Sequence, residues 1–260
     1  MTVDEALLRD IALTPRLLVA LDFDGTLAPL ADEPMSARMA PAAAAAVSAL
    51  LRAPETTVAF VSGRTLRDLR IIAEHDDASA IRLAGSHGAE RWAPGAGADR
   101  GADDPAAEAL RDRLRAEAEA VVADIEGAWI EPKEFGFGLH TRLVPDRAQA
   151  ARAQAGVDAI IADAAPRWRR RTGHDIVEYA FREEGKDAAV AHLRDALGAT
   201  AVLFAGDDVT DEDAIRSLRD GDLGIRVGAG ESAAAGRAAD IAELADALQR
   251  LAVLRTAPRE

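Results

Sequence analysis

An α/β fold, a doubly wound parallel sheet interrupted by an inserted α+β domain, is predicted by three features of this 260-residue chain. Short apolar runs rich in β-branched residues end abruptly in polar or glycine residues. Helical patterns lie between many of these runs. The alternation breaks off in mid-chain and resumes from Arg182. Strands alternating with helices imply a parallel sheet covered on both faces. Such sheets bind ligands just beyond the carboxyl ends of their strands.

A first helix is expected over Thr2 to Ile11. LLVALDF, Leu17 to Phe23, reads as a buried strand that ends at Asp22 to Gly25. PAAAAAVSALLR follows as a helix, since alanine has the highest intrinsic helix propensity. TTVAFVSGR is a strand ending at Ser62 and Gly63, TLRDLRIIAEH a helix, and IRLAGSHGAE a strand ending at Gly85 to Gly88. Ala93 to Pro105 is rich in Gly and Pro and reads as a linker or exposed loop. Next come a helix (AAEALRDRLRAEAEAVVADI), two strands around EPKEFGFGLHTR, a helix near Arg147 to Asp163 and a strand near HDIVEYAF. Together these have the size of a small domain. The first pattern then returns: helix KDAAVAHLRDAL, strand TAVLFAGDD ending at Asp207 and Asp208, helix TDEDAIRSLRD, strand DLGIRVG and helix DIAELADALQRL. The expected boundaries are 1–104 and 183–260 for the core and 105–182 for the insertion.

Composition narrows the function. Hydrophobic residues make up 49% of the chain, ample for a core. The formal net charge of −14 repels nucleic acid and anionic membranes, so neither is an expected partner. There is no cysteine, which removes disulfides, thiolate catalysis and thiolate metal sites. The start, MTVDEALLRD, is acidic and lacks the basic-then-apolar order of a signal peptide. No apolar run is long enough to span a bilayer. The expected location is the cytoplasm. An anionic substrate would need local positive charge or a metal ion.

Two acidic pairs, Asp22/Asp24 and Asp207/Asp208, lie at the carboxyl ends of two expected strands. The three acids that follow have a local explanation. Thr210 is a candidate N-cap with Asp213 three residues on, and Asp211 and Glu212 face the positive helix end. Asp207 and Asp208 precede that cap and are not explained by it. If the two strands are neighbours, the carboxylates converge and need a divalent cation; oxygen ligands alone suit magnesium. Ser62 and Gly63 offer a hydroxyl and backbone amides to phosphate oxygens, and Lys186 offers a cation. Metal, phosphate donors and carboxylates together point to phosphoryl transfer. One carboxylate can attack phosphorus to form an acyl phosphate. A second, two residues on, can protonate the leaving alcohol and later take a proton from water.

DFDGTL, VSGR, Lys186 and GDDVTDED, in this order, resemble the haloacid-dehalogenase (HAD) superfamily of aspartyl phosphatases. The resemblance implies Asp22 as nucleophile and Asp24 as general acid/base. It implies Ser62 and Lys186 as phosphate ligands. Magnesium would be held by Asp22, the Asp24 carbonyl and Asp207, with Asp208 and Asp211 in support, and the insertion would be a cap. More narrowly, GSHGAE, EPKEFGFGLHTR, the glutamate of IVEYAF and GDDVTDEDAI look like the trehalose-6-phosphate phosphatase family. That likeness implies Glu131, Lys133, His140, Arg142 and Glu178 as sugar-binding residues of the cap. His87 is then a structural or pocket-lining residue, and Arg64 either steadies the phosphate or pairs with a core acid. It also implies a trehalose-6-phosphate synthase as the source of substrate. The chain departs from the family pattern at Ser86, Thr141, Ala180, Phe181 and Asp187. A second reading therefore keeps the chemistry and changes the sugar to another phosphorylated disaccharide or glycoside. A third, a phosphoacceptor signalling domain, predicts one short domain without an insertion.

Overall fold

A computed structural model describes residues 3–173 and 175–257. Thr2, where the first helix was expected to begin, and His174 of the expected HDIVEYAF strand lie outside them. The elements in chain order are α1 (Glu5–Ala12), β1 (Leu17–Leu21), α2 (Pro41–Arg52), β2 (Thr56–Val61), α3 (Leu66–Ile72), β3 (Arg82–Gly85), β4 (Glu90–Ala93) and β5 (Gly97–Asp99). Then come α4 (Pro105–Val122), β6 (Trp129–Lys133), β7 (Gly136–His140), α5 (Arg147–Ala164), β8 (Arg169–Gly173) and β9 (Ile176–Ala180). The chain closes with α6 (Lys186–Leu197), β10 (Ala201–Gly206), α7 (Asp211–Arg216), β11 (Leu223–Val227), β12 (Gly236–Ala238) and α8 (Ile241–Thr256). One compact unit is built from the described residues up to Arg100 and from Glu184 on; the other is Gly101–Glu183.

The first unit is an α/β core around an eight-stranded sheet of order β12-β11-β10-β1-β2-β3-β4-β5. From β12 to β3 every neighbouring pair is parallel. The side chains of β1 alternate between two cores, as a strand's period of two requires. Leu17, Val19 and Leu21 pack with α1, α2, α3 and α8 through Leu8, Val47, Leu50, Leu69 and Leu248. Leu18 and Ala20 pack with α6 and α7 through Val190, Leu193, Ala214 and Ile215. The chain runs outward from β1 to β2 and β3 on one side, and from β10 to β11 and β12 on the other. The direction of winding therefore reverses between β1 and β10, and their carboxyl ends form the crevice where such sheets bind ligands.

Three local expectations need correction. The Ala93 to Pro105 stretch is not only a linker: Gly97–Asp99 is β5, paired antiparallel with β4. Gly95 and Gly97 take φ of 76° and 78°, which permits the tight hairpin. Helix α7 stops at Arg216, short of the expected TDEDAIRSLRD. The Asp222 carboxylate accepts from Arg219 N (2.8 Å) and Val202 N (2.9 Å), drawing the chain back to β10. Thr210 has helical dihedrals and makes no side-chain cap.

The second unit has an antiparallel four-stranded sheet, β6-β7-β9-β8. Helices α4 and α5 cover one face, with Leu114, Ala118, Val157 and Ile161 packed on Phe137, Leu139, Val177 and Tyr179. Tyr179 is on this side and donates its hydroxyl to Asp158 (2.7 Å). By alternation, Glu131, Lys133, Gly138, His140 and Glu178 belong to the opposite face.

Candidate active site

Asp22 follows β1 directly, and its amide donates to Ala205 O (2.9 Å), which fixes it against the end of β10. Asp207 follows β10. Thr26 donates toward both carboxylates, at 3.2 Å to Asp22 and 3.1 Å to Asp207. Gly25 permits this approach. It has φ +81°, and a Cβ there would lie 2.1 Å from an Asp207 oxygen. Lys186 opens α6, where the positive helix end disfavours a cation. Two carboxylates offset that: Nζ donates to Asp22 (2.6 Å) and to Asp211 (2.7 Å). All three side chains are buried.

Asp22, Asp207 and Asp211 each offer an oxygen within 4.8 Å of the others. Burial pushes Asp22 well above the usual carboxylate range. Lys186 opposes the shift, while Asp211 and Asp207 add to it. Burial likewise raises Asp207 to about 6, helped by Asp211 and resisted by the Thr26 hydrogen bond. Burial disfavours the Lys186 charge, but Asp211 and Asp22 outweigh it and hold the ammonium above its ordinary value. Three carboxylates facing one ammonium leave an excess of negative charge that a divalent cation would relieve. The all-oxygen donor set fits magnesium.

Asp208 is not one of the three. Its amide donates to Asp211 Oδ2 (2.9 Å) and its carbonyl accepts from Arg226 (2.9 Å). The first turn of α7 instead brings Asp211 in, completely buried. Asp211 was expected in support of the metal; Thr26 was not foreseen, and its available signal was its position, four residues after Asp22. Arg64 pairs with a core acid: its guanidinium grips Asp24 with two bonds, Nε to Oδ2 at 2.7 Å and Nη2 to Oδ1 at 2.6 Å. Ser62 follows β2 and is buried, with its hydroxyl accepting from Arg64 N (3.1 Å). His87 is buried beside Gly63.

In the second unit, register puts Glu131 across from Gly138, and Gly138 across from Glu178. Lys133 Nζ lies 3.1 Å from Glu131 and 3.2 Å from Glu178. His140 Nε2 donates to the same Glu131 oxygen at 2.7 Å, and its ring stacks on Trp129 at 4.4 Å. Burial works against the Glu131 charge, but His140 and Lys133 together hold its carboxyl below the usual range. Arg142 does not join this cluster. It lines a cleft of about 410 Å³ with Arg147, Gln154 and Asp175.

Comparison with known proteins identifies the family. A profile described as trehalose-phosphatase matches residues 20–245. A trehalose-phosphate phosphatase of Mycobacterium avium is 34% identical over 212 residues, 78% of this chain and 51% of that one. The chain thus spans about half the length of this relative. A probable trehalose-phosphate phosphatase of Sinorhizobium fredii is 32% identical, covering 80% of this chain and 76% of its own. Among solved structures, the C-terminal domain of C. albicans trehalose-6-phosphate phosphatase superposes with a TM-score of 0.78 at 20% identity, covering 96% of each chain, a likeness of fold.

Proposed function

The chain belongs to the trehalose-phosphatase family, and from that premise we propose that it hydrolyses trehalose 6-phosphate to trehalose and phosphate through an aspartyl phosphate on Asp22. The observation that carries this reading is the buried group of Asp22, Asp207, Asp211 and Lys186 at the point where the sheet reverses its winding.

In the proposed first step an Asp22 oxygen attacks phosphorus, the ester P–O bond breaks, and the departing sugar oxygen takes a proton from Asp24. In the second, Asp24 accepts a proton from water as its oxygen attacks the same phosphorus; phosphate leaves and Asp22 is restored. Both Asp24 oxygens accept from Arg64, and each keeps a second lone pair through which a proton can be exchanged with substrate. Lys186 offsets the charge of the attacking carboxylate and of the phosphoryl oxygens. Asp22, Asp207 and Asp211 would hold magnesium, which when bound supplies positive charge against the phosphoryl group. Ser62 and Gly63 take phosphate oxygens.

Glu131, Lys133, His140 and Glu178 supply acceptors and donors for sugar hydroxyls, and strong hydrogen bonds to charged groups suit that task. The inserted unit is on this reading the specificity domain. A trehalose-6-phosphate synthase as the source of substrate and a cytoplasmic location belong to the same proposal. One observation favours the second reading, a different disaccharide phosphate: Arg142 lies apart from the polar cluster, and Thr141 is buried with its hydroxyl donating to Asp175 O (3.3 Å).

The test is phosphate release, with and without magnesium, from trehalose 6-phosphate, sucrose 6-phosphate, glucose 6-phosphate and a small aryl phosphate. Magnesium-dependent preference for trehalose 6-phosphate is expected. Preference for another ester moves the specificity to that sugar. No turnover of any ester defeats the proposal.

A further inference from the structure

The segment after β3 carries a backbone that needs a reason. Ser86, His87 and Gly88 have φ of 49°, 58° and 109°, three successive residues in the left-handed region. Non-glycine residues persist there only when their surroundings hold them. Here Ser86 N donates to Arg64 O (2.6 Å) and His87 N donates to Ser62 O (2.9 Å). The turn therefore grips the carbonyls on either side of Gly63. In a trans peptide the C=O and the next N–H point in opposite directions, and no cis bond occurs among the described residues. Holding the Ser62 and Arg64 carbonyls against the turn thus directs the amides of Gly63 and Thr65 away from it. The His87 ring closes the other side: a Cβ on Gly63 would lie 2.8 Å from its Cε1 and Nε2.

One carboxylate ties this arrangement together. Glu90, at the start of β4 and buried, uses a single oxygen, Oε2, to accept from Ser86 Oγ (2.6 Å) and from Leu66 N (3.0 Å). The first bond braces the turn. The second fixes the start of α3, which the Ser62–Arg64 segment feeds. We infer that Glu90 is a positioning residue for phosphate binding: by joining the Ser86–Gly88 turn to α3 it sets the direction of the Gly63 amide. The inference rests on the proposed reading of Ser62 and Gly63 as phosphate ligands. What it adds is a residue that touches neither phosphate nor sugar.

Because both bonds end on one oxygen, an amide oxygen can accept both. E90Q should therefore retain function where E90A loses it. The measurements are binding of inorganic phosphate by calorimetry in the presence of magnesium, and kcat and KM for a small aryl phosphate and trehalose 6-phosphate. E90A is expected to weaken phosphate binding and lower kcat/KM on both esters by a similar factor, roughly tenfold, with the magnesium half-saturation unchanged. E90Q should stay within about twofold of wild type. S86A, which removes one of the two bonds, should fall between them, and it decides the matter if E90A does not fold. Phosphate affinity unchanged in E90A and S86A, an E90Q as impaired as E90A, or a loss confined to the sugar ester would each overturn the inference. A wild type that binds phosphate but hydrolyses no ester defeats the proposed function, while the phosphate affinities of the variants still judge Glu90. A wild type that does neither defeats both.

Discussion

Lys186 and Lys133 each lie between two carboxylates, at 2.6 and 2.7 Å in one case and 3.1 and 3.2 Å in the other. The surroundings differ. The Lys186 side chain is 4% exposed and the Lys133 side chain 30%. A third carboxylate, Asp207, stands with the first group, whereas a histidine stands with the second. Burial and excess negative charge push Asp22 and Asp207 up, while Glu131 is held down. The same three charged groups thus make an electrostatically incomplete site when buried with a further acid. They make a less negative one when partly exposed beside an imidazole. The first calls for a divalent cation; on the proposed reading, the second trades hydrogen bonds with sugar hydroxyls.

If that contrast holds, substitutions should separate by substrate. Asp22→Asn should lower turnover of every ester by roughly 10⁴-fold with its circular dichroism unchanged; retained activity would remove the nucleophile from the core. Glu131→Ala should lower kcat/KM for the disaccharide phosphate by roughly 10- to 100-fold and leave a small aryl phosphate nearly untouched. Equal losses on both would make Glu131 structural.

The next effect depends on pH. Without a metal, Asp207 titrates at about 6, above its unfolded value. The folded protein then binds a proton that the unfolded chain does not, so this group's stabilisation is present at low pH and is lost as pH rises to about 6. Magnesium must displace that proton, so calorimetry should show affinity weakening below pH 6 by up to about tenfold per unit. An affinity flat from pH 5 to 7 would mean that Asp207 is not a ligand. The smallest effect is expected from Tyr179→Phe, which removes the bond to Asp158 from the helix-covered face of the second unit. It should cost about 1 kcal/mol in denaturant unfolding and leave magnesium binding as in wild type.

Much of this was legible in the sequence wherever one segment carried its own signal. LLVALDF shows a buried strand and its acidic end together, and KDAAVAHLRDAL gave α6 with Lys186 at its first position. What escaped depended on neighbours distant in the chain. Asp211 had a sufficient local explanation as an acid near a helix start, which concealed its contact with Lys186. Asp208, adjacent to Asp207, is not among the three acids whose oxygens converge, although its charge acts on Asp207. The choice of partner for Arg64 required knowing that β1 and β2 are adjacent. Glu90 was visible in GSHGAE, but its two bonds become apparent only once the turn has folded over the start of α3.

The strand order has a further consequence, for biosynthesis. The strand that precedes Asp22 is made well before one of its two neighbours: β10 is Ala201–Gly206, and Lys186 and Asp211 also lie beyond the insertion. Until then one edge of β1 stays open, and the nascent chain holds Asp22 without its ammonium or its companion carboxylates. Gly101–Glu183 is continuous in sequence and can fold while the chain is still growing, whereas the core must wait for its last third.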